Sequence, residues 1–165
     1  TLLYSKYSFE AADRVASMKL STYTDYSLRL LMMLAAEPQR RTTVAEVAAA
    51  FGISEHHLGK VAHGLGRHGW LANVRGQGGG LSLAVAPGQI VIGEVVRRTE
   101  NGDLPAACFS AVDPPCAIGA VCRLHDVLDE ALRAFYRVLD HYTLADLVRN
   151  PRALSHLLFV ERAVR

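Results

Sequence analysis

The spacing of apolar positions changes along this chain, and the changes divide it into segments. From Ser21 to Ala36 apolar residues recur at intervals of three and four, which predicts a helix with Leu28, Leu31, Met32 and Ala35 inward. Glu37-Pro38 ends it, because proline disfavours helical geometry at the residue before it. Thr43 is placed to cap a second helix, and Glu46, three residues on, completes a capping box. Val44, Val47, Ala48 and Phe51 form its apolar face, and Gly52 stops it where a left-handed residue is cheap. Ser54 is placed to cap a third helix running to about His68, with Leu58, Val61, Ala62 and Leu65 inward. Helix, short glycine-containing turn, helix is the helix-turn-helix layout.

Beyond Gly69 the period shortens. Trp70–Arg75 and the alternating Leu81–Val85 read as two strands around the tip Gly76-Gln77-Gly78-Gly79-Gly80. A hairpin directly after a helix-turn-helix is a wing. The glycine tip is not a phosphate loop: no Lys-Ser/Thr pair follows, and it leads into a strand rather than a helix. A short helix over about Ile92–Arg98 turns Val95 and Val96 inward. Residues 101–122 have no period, carry Pro105, Pro114 and Pro115, and contain all three cysteines. A structureless stretch of that length suggests a binding loop.

The last long element runs from Arg123 to Tyr142. Leu124, Val127, Leu128, Ala131, Phe135, Val138, Leu139 and Tyr142 repeat with heptad-like spacing, which predicts a dimerisation helix roughly 30 Å long. A short capped helix starts at Thr143. The predicted class is therefore mainly α with a small β-hairpin wing: a winged helix-turn-helix plus a long dimerisation helix. Residues 1–17 read as an extension and 18–86 as the DNA-binding domain. Residues 87–122 read as a linker helix and cysteine loop, 123–150 as the dimerisation helix and its short successor, and 151–165 as a tail.

Composition adds constraints. The chain has 165 residues, 50% hydrophobic and 21% charged, enough for a packed core without disulfide staples. No apolar run approaches the roughly 20 residues that span a bilayer, and no secretory signal is visible, so a cytoplasmic protein with no membrane partner is expected. Residues 18–85 carry seven Lys/Arg against four Asp/Glu, and residues 86–165 nine against ten. The basic excess in the first half suits an anionic partner. An odd cysteine count without a signal peptide argues for thiols that hold a cofactor rather than a disulfide framework.

The outward face of the third helix offers Ser54, His56, His57, Lys60, His63 and Arg67 to a major groove, with Arg75 and Gln77 at the wing. Gly59, Gly64 and Gly66 weaken that helix, each by roughly 1 kcal/mol relative to Ala, and close approach to DNA or to the first helix would account for them. Cys108, Cys116 and Cys122 are too widely spaced for a zinc ribbon. Three thiolates on a loop suit an iron–sulfur cluster that needs a fourth ligand; a zinc-stabilised interaction module and unligated or redox-active thiols remain alternatives. A thiol enzyme is disfavoured, since no Cys-x-x-Cys pair is present.

Four separated motifs carry a resemblance: the segment Met18 to Arg29, Arg75-Gly-Gln-Gly-Gly-Gly-Leu81, Cys122-Arg-Leu, and Tyr142-Thr-Leu-Ala-Asp-Leu-Val148. Over about residues 18–150 the chain resembles a bacterial family of iron–sulfur winged-helix repressors. The resemblance implies a homodimer on operator double-stranded DNA and a cluster on the three cysteines, 4Fe-4S or alternatively 2Fe-2S. Its nitric-oxide-sensing branch takes the fourth ligand from an aspartate of the other subunit's first helix, here Asp25. The branch that governs cluster assembly and redox status uses a histidine three residues after the last cysteine, here His125. The context Tyr23-Thr24-Asp25-Tyr26 resembles the nitric-oxide branch more closely. The seven residues between Cys108 and Cys116 depart from the family's more usual five. An intact cluster is expected to set the two recognition helices about 34 Å apart, and nitric oxide to slacken that arrangement and release DNA.

Overall fold

The computed structural model describes residues 19–74, 76, 78–100, 118 and 122–160. The expectations for residues 1–17, for Arg75 and Gln77 at the wing and for Cys108 and Cys116 fall outside these residues. The elements are α1 (Thr22–Ala36), α2 (Val44–Phe51), α3 (Glu55–Arg67), β1 (Leu71–Val74), β2 (Gly80–Leu83), α4 (Ile92–Thr99), α5 (Arg123–Asp140), α6 (Leu144–Leu147) and α7 (Pro151–Ser155). This is a winged helix with a long helical extension.

The helix-turn-helix forms as its capping residues dictate. The Thr43 hydroxyl accepts from the Glu46 N–H at 3.2 Å, and the Glu46 carboxylate accepts from the Thr43 N–H at 2.7 Å. Gly52 closes α2 at φ +66°. Leu58, Val61, Ala62 and Leu65 are buried against α1 and α2. Ser54 corrects one expectation: it occupies the N-cap position of α3, yet its side chain makes no capping hydrogen bond.

The inner face of α1 also differs from the expected one. Leu31 and Ala35 are buried, but Leu28 and Met32 only partly so; the fully buried set is Thr24, Ser27, Leu30, Leu31, Met33, Leu34, Ala35 and Ala36. The polar letters at 24 and 27 hid the true face. Both hydroxyls are satisfied inside: Thr24 donates to Thr99 Oγ1 at 2.9 Å, and Ser27 donates to the Tyr23 carbonyl at 2.7 Å. A buried hydroxyl with a partner costs little.

The wing strands pair antiparallel, from Leu71 opposite Leu83 to Val74 opposite Gly80. Thr42 adds a one-residue third strand: its N–H donates to Leu81 O at 3.1 Å and the Leu81 N–H returns to Thr42 O at 2.8 Å. Further along, the backbone around Ile90–Ile92 pairs with Tyr142–Leu144, through Ile92 N–H to Tyr142 O at 2.9 Å and Leu144 N–H to Ile90 O at 2.8 Å. The end of α5 is thus stitched to the start of α4.

Helix α5 has two apolar faces rather than one broad stripe. Phe135, Tyr136 and Leu139 pack toward the core, where Arg97 of α4 lies over the Tyr136 ring and pairs with Asp140. Leu124, Val127, Val138 and Tyr142 stay 60%, 55%, 59% and 44% exposed, and no described residue of α5 is fully buried within one chain. Residues 151–160, read as a tail, are helical. Asn150 caps α7 through Oδ1 at 3.2 Å from the Ala153 N–H, and Pro151 follows at the first helical position. A π-helical stretch, His156–Val160, continues it, with Phe159 under the Arg40 guanidinium. No described helix is long and apolar enough to cross a membrane.

Candidate nucleic-acid interface and ligand residues

Burial of Leu58, Val61, Ala62 and Leu65 turns the opposite face of α3 outward. Ser54, His56, His57, Lys60, His63 and Arg67 are all exposed there. Its charge is uncompensated. Lys60 and Arg67 make no ion pair among the described residues, whereas Arg29, Arg40, Arg97 and Arg98 are paired with Asp25, Glu46, Asp140 and Glu94. Cations without an ionic partner on one exposed helix face are available to a phosphate-bearing partner. Ser54 keeps its hydroxyl unspent at the head of this face, since it does not cap the helix.

Two grooves flank the face. Thr22, Tyr23 and Tyr26 of α1 line one with His57, Lys60 and Val61. Tyr23, Gly64, Arg67, His68 and Arg98 line the other. Tyr23 forms a wall of both, and burial pushes its phenol pKa up. Arg41 is a residue the sequence reading missed. The Thr42–Leu81 bridge carries it to the wing, where its guanidinium donates to the Gly78 carbonyl at 3.0 Å. Its position just outside a predicted helix gave no periodic signal. Gly64 is also explained: a Cβ there would overlap the Tyr23 hydroxyl, so the close approach is to the first helix. Gly59 has open space around it, and nothing in the structure explains why glycine is needed there.

The candidate ligands occupy two places. Asp25 lies in the first turn of α1, its carboxylate 43% exposed and paired with Arg29 at 3.0 Å. Cys122 is the N-cap of α5, partly exposed and in no disulfide, and its side chain makes no capping hydrogen bond. His125 follows three residues later on the first turn of the same helix, with Asp126 Oδ1 at 3.7 Å from Nδ1. Within one chain, no group of three metal-ligating side chains forms among the described residues.

Known proteins identify the family. Residues 20–150 match the Rrf2 family, described as iron-dependent transcriptional regulators. The chain is 48% identical over 142 residues to the HTH-type transcriptional regulator NsrR of Geobacillus kaustophilus and equally to that of Bacillus subtilis. In both cases the match covers 86% of this chain and 97% of the relative. Among solved structures, the cysteine regulator CymR of B. subtilis superposes with a TM-score of 0.62 at 28% identity, covering 81% of this chain and 98% of that one. IscR of T. potens superposes at 0.65 and 24% identity, covering 84% and 92%, and supports the fold. The named relatives are transcriptional regulators, not enzymes, which closes the thiol-enzyme reading. A winged helix whose α3 turns Lys60 and Arg67 outward, matched over nearly all its described length by such regulators, belongs to the Rrf2 family of transcriptional regulators.

Proposed function

We propose that this chain is a homodimeric repressor that holds operator DNA through α3 and the wing and releases it when nitric oxide attacks an iron–sulfur cluster. The observation that carries the reading is the pairing of two features in one chain: the exposed Lys60 and Arg67 of α3, in no ion pair among the described residues, and a half-exposed carboxylate, Asp25, on the adjoining helix. The seam Leu124, Val127, Val138 and Tyr142 supports the homodimer, because an exposed apolar stripe on a long helix is covered by a like stripe from a second copy.

The donors suit a cluster. Cys122 is a partly exposed thiol at the start of α5, in no disulfide and making no capping hydrogen bond, so its sulfur is available to a metal. Cys108, Cys116 and Cys122 would hold the cluster, 4Fe-4S in this reading, with Asp25 of the partner copy as fourth ligand. When bound, the cluster supplies iron that nitric oxide attacks at the cost of protein ligands. A carboxylate is the weakest of these ligands, and Asp25 has an alternative partner at hand in Arg29. On leaving the cluster, Asp25 would have the Arg29 guanidinium to pair with. The α1 turn that carries it packs on α3, which bears the DNA face. Thr22 and Tyr26 flank Lys60 and His57 from α1, so a shift of this turn changes what α3 presents.

A second reading uses His125 as fourth ligand in the manner of a redox-status regulator, and its place one turn from Cys122 supports that reading. The deciding experiment is the visible absorption spectrum of anaerobically purified protein before and after nitric oxide. A brown protein whose sulfur-to-iron band bleaches is the expected result; colourless protein with one zinc per chain refutes the sensor. Asp25→Ala and His125→Ala, made separately, identify the fourth ligand by which one alters the spectrum. Cys116→Ala is expected to give a folded dimer without cluster and with poor operator affinity.

A further inference from the structure

Residues 23, 24 and 25 of α1 follow one another, and helical geometry sends them in three directions. Asp25 faces solvent beside Arg29. Thr24 points inward and donates to Thr99 Oγ1 at the end of α4, while the Ser21 N–H donates to Glu100 Oε1 at 2.8 Å. Glu100 directly precedes the segment that carries the cysteines. Tyr23 reaches α3, where its hydroxyl occupies the space that a Cβ at position 64 would fill. Glycine inside a helix costs roughly 1 kcal/mol relative to Ala, and at position 64 it leaves the space that the Tyr23 hydroxyl occupies.

We propose that Tyr23 is the positioning residue through which the state of the Asp25 site reaches the recognition helix. The inference rests on the sensing role of Asp25 given above. Thr24 pins the turn to α4 by a buried hydrogen bond. A pull on Asp25 therefore turns the segment about that pin, and the neighbour that must answer is Tyr23. Its hydroxyl sits on α3 with no intervening side chain, between the groove holding His57 and Lys60 and the groove holding Arg67 and His68. This direct contact between the hydroxyl and the α3 turn at Gly64 is the route by which such a motion passes. Tyr23 needs no contact with DNA or cluster to act in this way.

The contact allows a compensating exchange. Tyr23→Phe removes the hydroxyl and leaves a gap above Gly64. Gly64→Ala inserts a methyl where the hydroxyl sits. Together they put the methyl where the hydroxyl was, with the ring carbon Cζ at 3.3 Å from the new Cβ, a fit that needs the ring to give by a few tenths of an ångström. The test uses the full chain and a duplex that the wild-type protein selects from a random-sequence pool. Operator affinity is measured for cluster-loaded and cluster-free protein, with loading followed by visible absorbance and folding by thermal melting. Each single variant is expected to lower the loaded-to-free affinity ratio about tenfold without changing loading, and the double variant to recover most of it. If Gly64→Ala does not fold, Tyr23→Phe alone decides. Singles that keep the wild-type ratio, or a double no better than the worse single, overturn the role of Tyr23 while leaving the sensor intact. A wild-type ratio of one at full loading overturns the sensor reading and this coupling with it.

Discussion

Truncating Val127 tests the two-copy architecture most directly. Its side chain is 55% exposed in a single chain, as Leu124 and Val138 are 60% and 59% exposed, so its burial is left for a partner. Full burial of such a side chain is worth about 1.5–3 kcal/mol, and the exposed half therefore about 1 kcal/mol. Two-fold symmetry counts every substitution twice. Val127→Ala removes part of this contribution and Val127→Ser adds a polar group, so the serine variant is expected to cost about 2 kcal/mol of dimer, roughly a thirtyfold rise in dissociation constant. Sedimentation velocity across a dilution series measures it. Val138→Ser is expected to behave alike, while Val74→Ser, 39% exposed on the wing rather than on α5, leaves association unchanged. Because these residues make few contacts within their own chain, the melting temperature of the isolated monomer is expected to hold. An unchanged dissociation constant in both seam variants, or a shift in the wing variant, would refute the seam.

Three further outcomes follow from particular contacts. Lys60→Ala is expected to weaken operator binding and to reduce the slope of log affinity against log salt by about 0.9 for each copy, about 1.8 for the dimer; an unchanged slope means that Lys60 touches no phosphate. Thr42 is fully buried, and its hydroxyl finds no hydrogen-bond partner among the described residues, so Thr42→Val is expected to raise stability by about 1–3 kcal/mol in denaturant titration. A loss of stability would refute the idea that this hydroxyl is unpartnered. The hydrogen bonds from Arg97 hold the Asp140 carboxyl below its ordinary 3.8. A depressed carboxyl stabilises the fold above its unfolded pKa and loses that contribution as pH falls through the lower folded value. Asp140→Asn is therefore expected to flatten the acid limb of the stability profile below about pH 4, and an unaltered limb would remove this pair from the account.

The sequence exposed what repeats and hid what depends on distant neighbours. The outward polar face of α3 was readable because the buried positions of the helix follow the helical period, which leaves Lys60, His63 and Arg67 only one direction to face. The Thr43–Glu46 box was readable because capping is local. The buried face of α1 was misread because Thr24 and Ser27 are polar by type and buried by virtue of partners, one of them Thr99, far along the chain. The third strand at Thr42 has no pattern of its own and exists because Leu81 lies opposite. The helix after Asn150 was readable in principle, since Asn-Pro is a cap followed by a first-turn proline. The two faces of α5 merge into one in sequence, because heptad spacing does not say which apolar residues a chain keeps for itself. Tyr23 and Gly64 had no legible link, as nothing local joins a tyrosine to a glycine on another helix.

The stitch between Ile90–Ile92 and Tyr142–Leu144 makes α5 a lever rather than a tether. Backbone hydrogen bonds, the Arg97–Asp140 pair and the Tyr136 ring clamp its C-terminal end to the winged domain, while Cys122 sits at the opposite tip. Its 18 residues make a rod about 27 Å long, so a tilt of about 5° at the clamp corresponds to a displacement of about 2 Å at the Cys122 tip. The mechanical advantage runs from tip to clamp: under the proposed sensing role, a modest movement at the cysteine end would reach the clamp as a small rotation applied with amplified force.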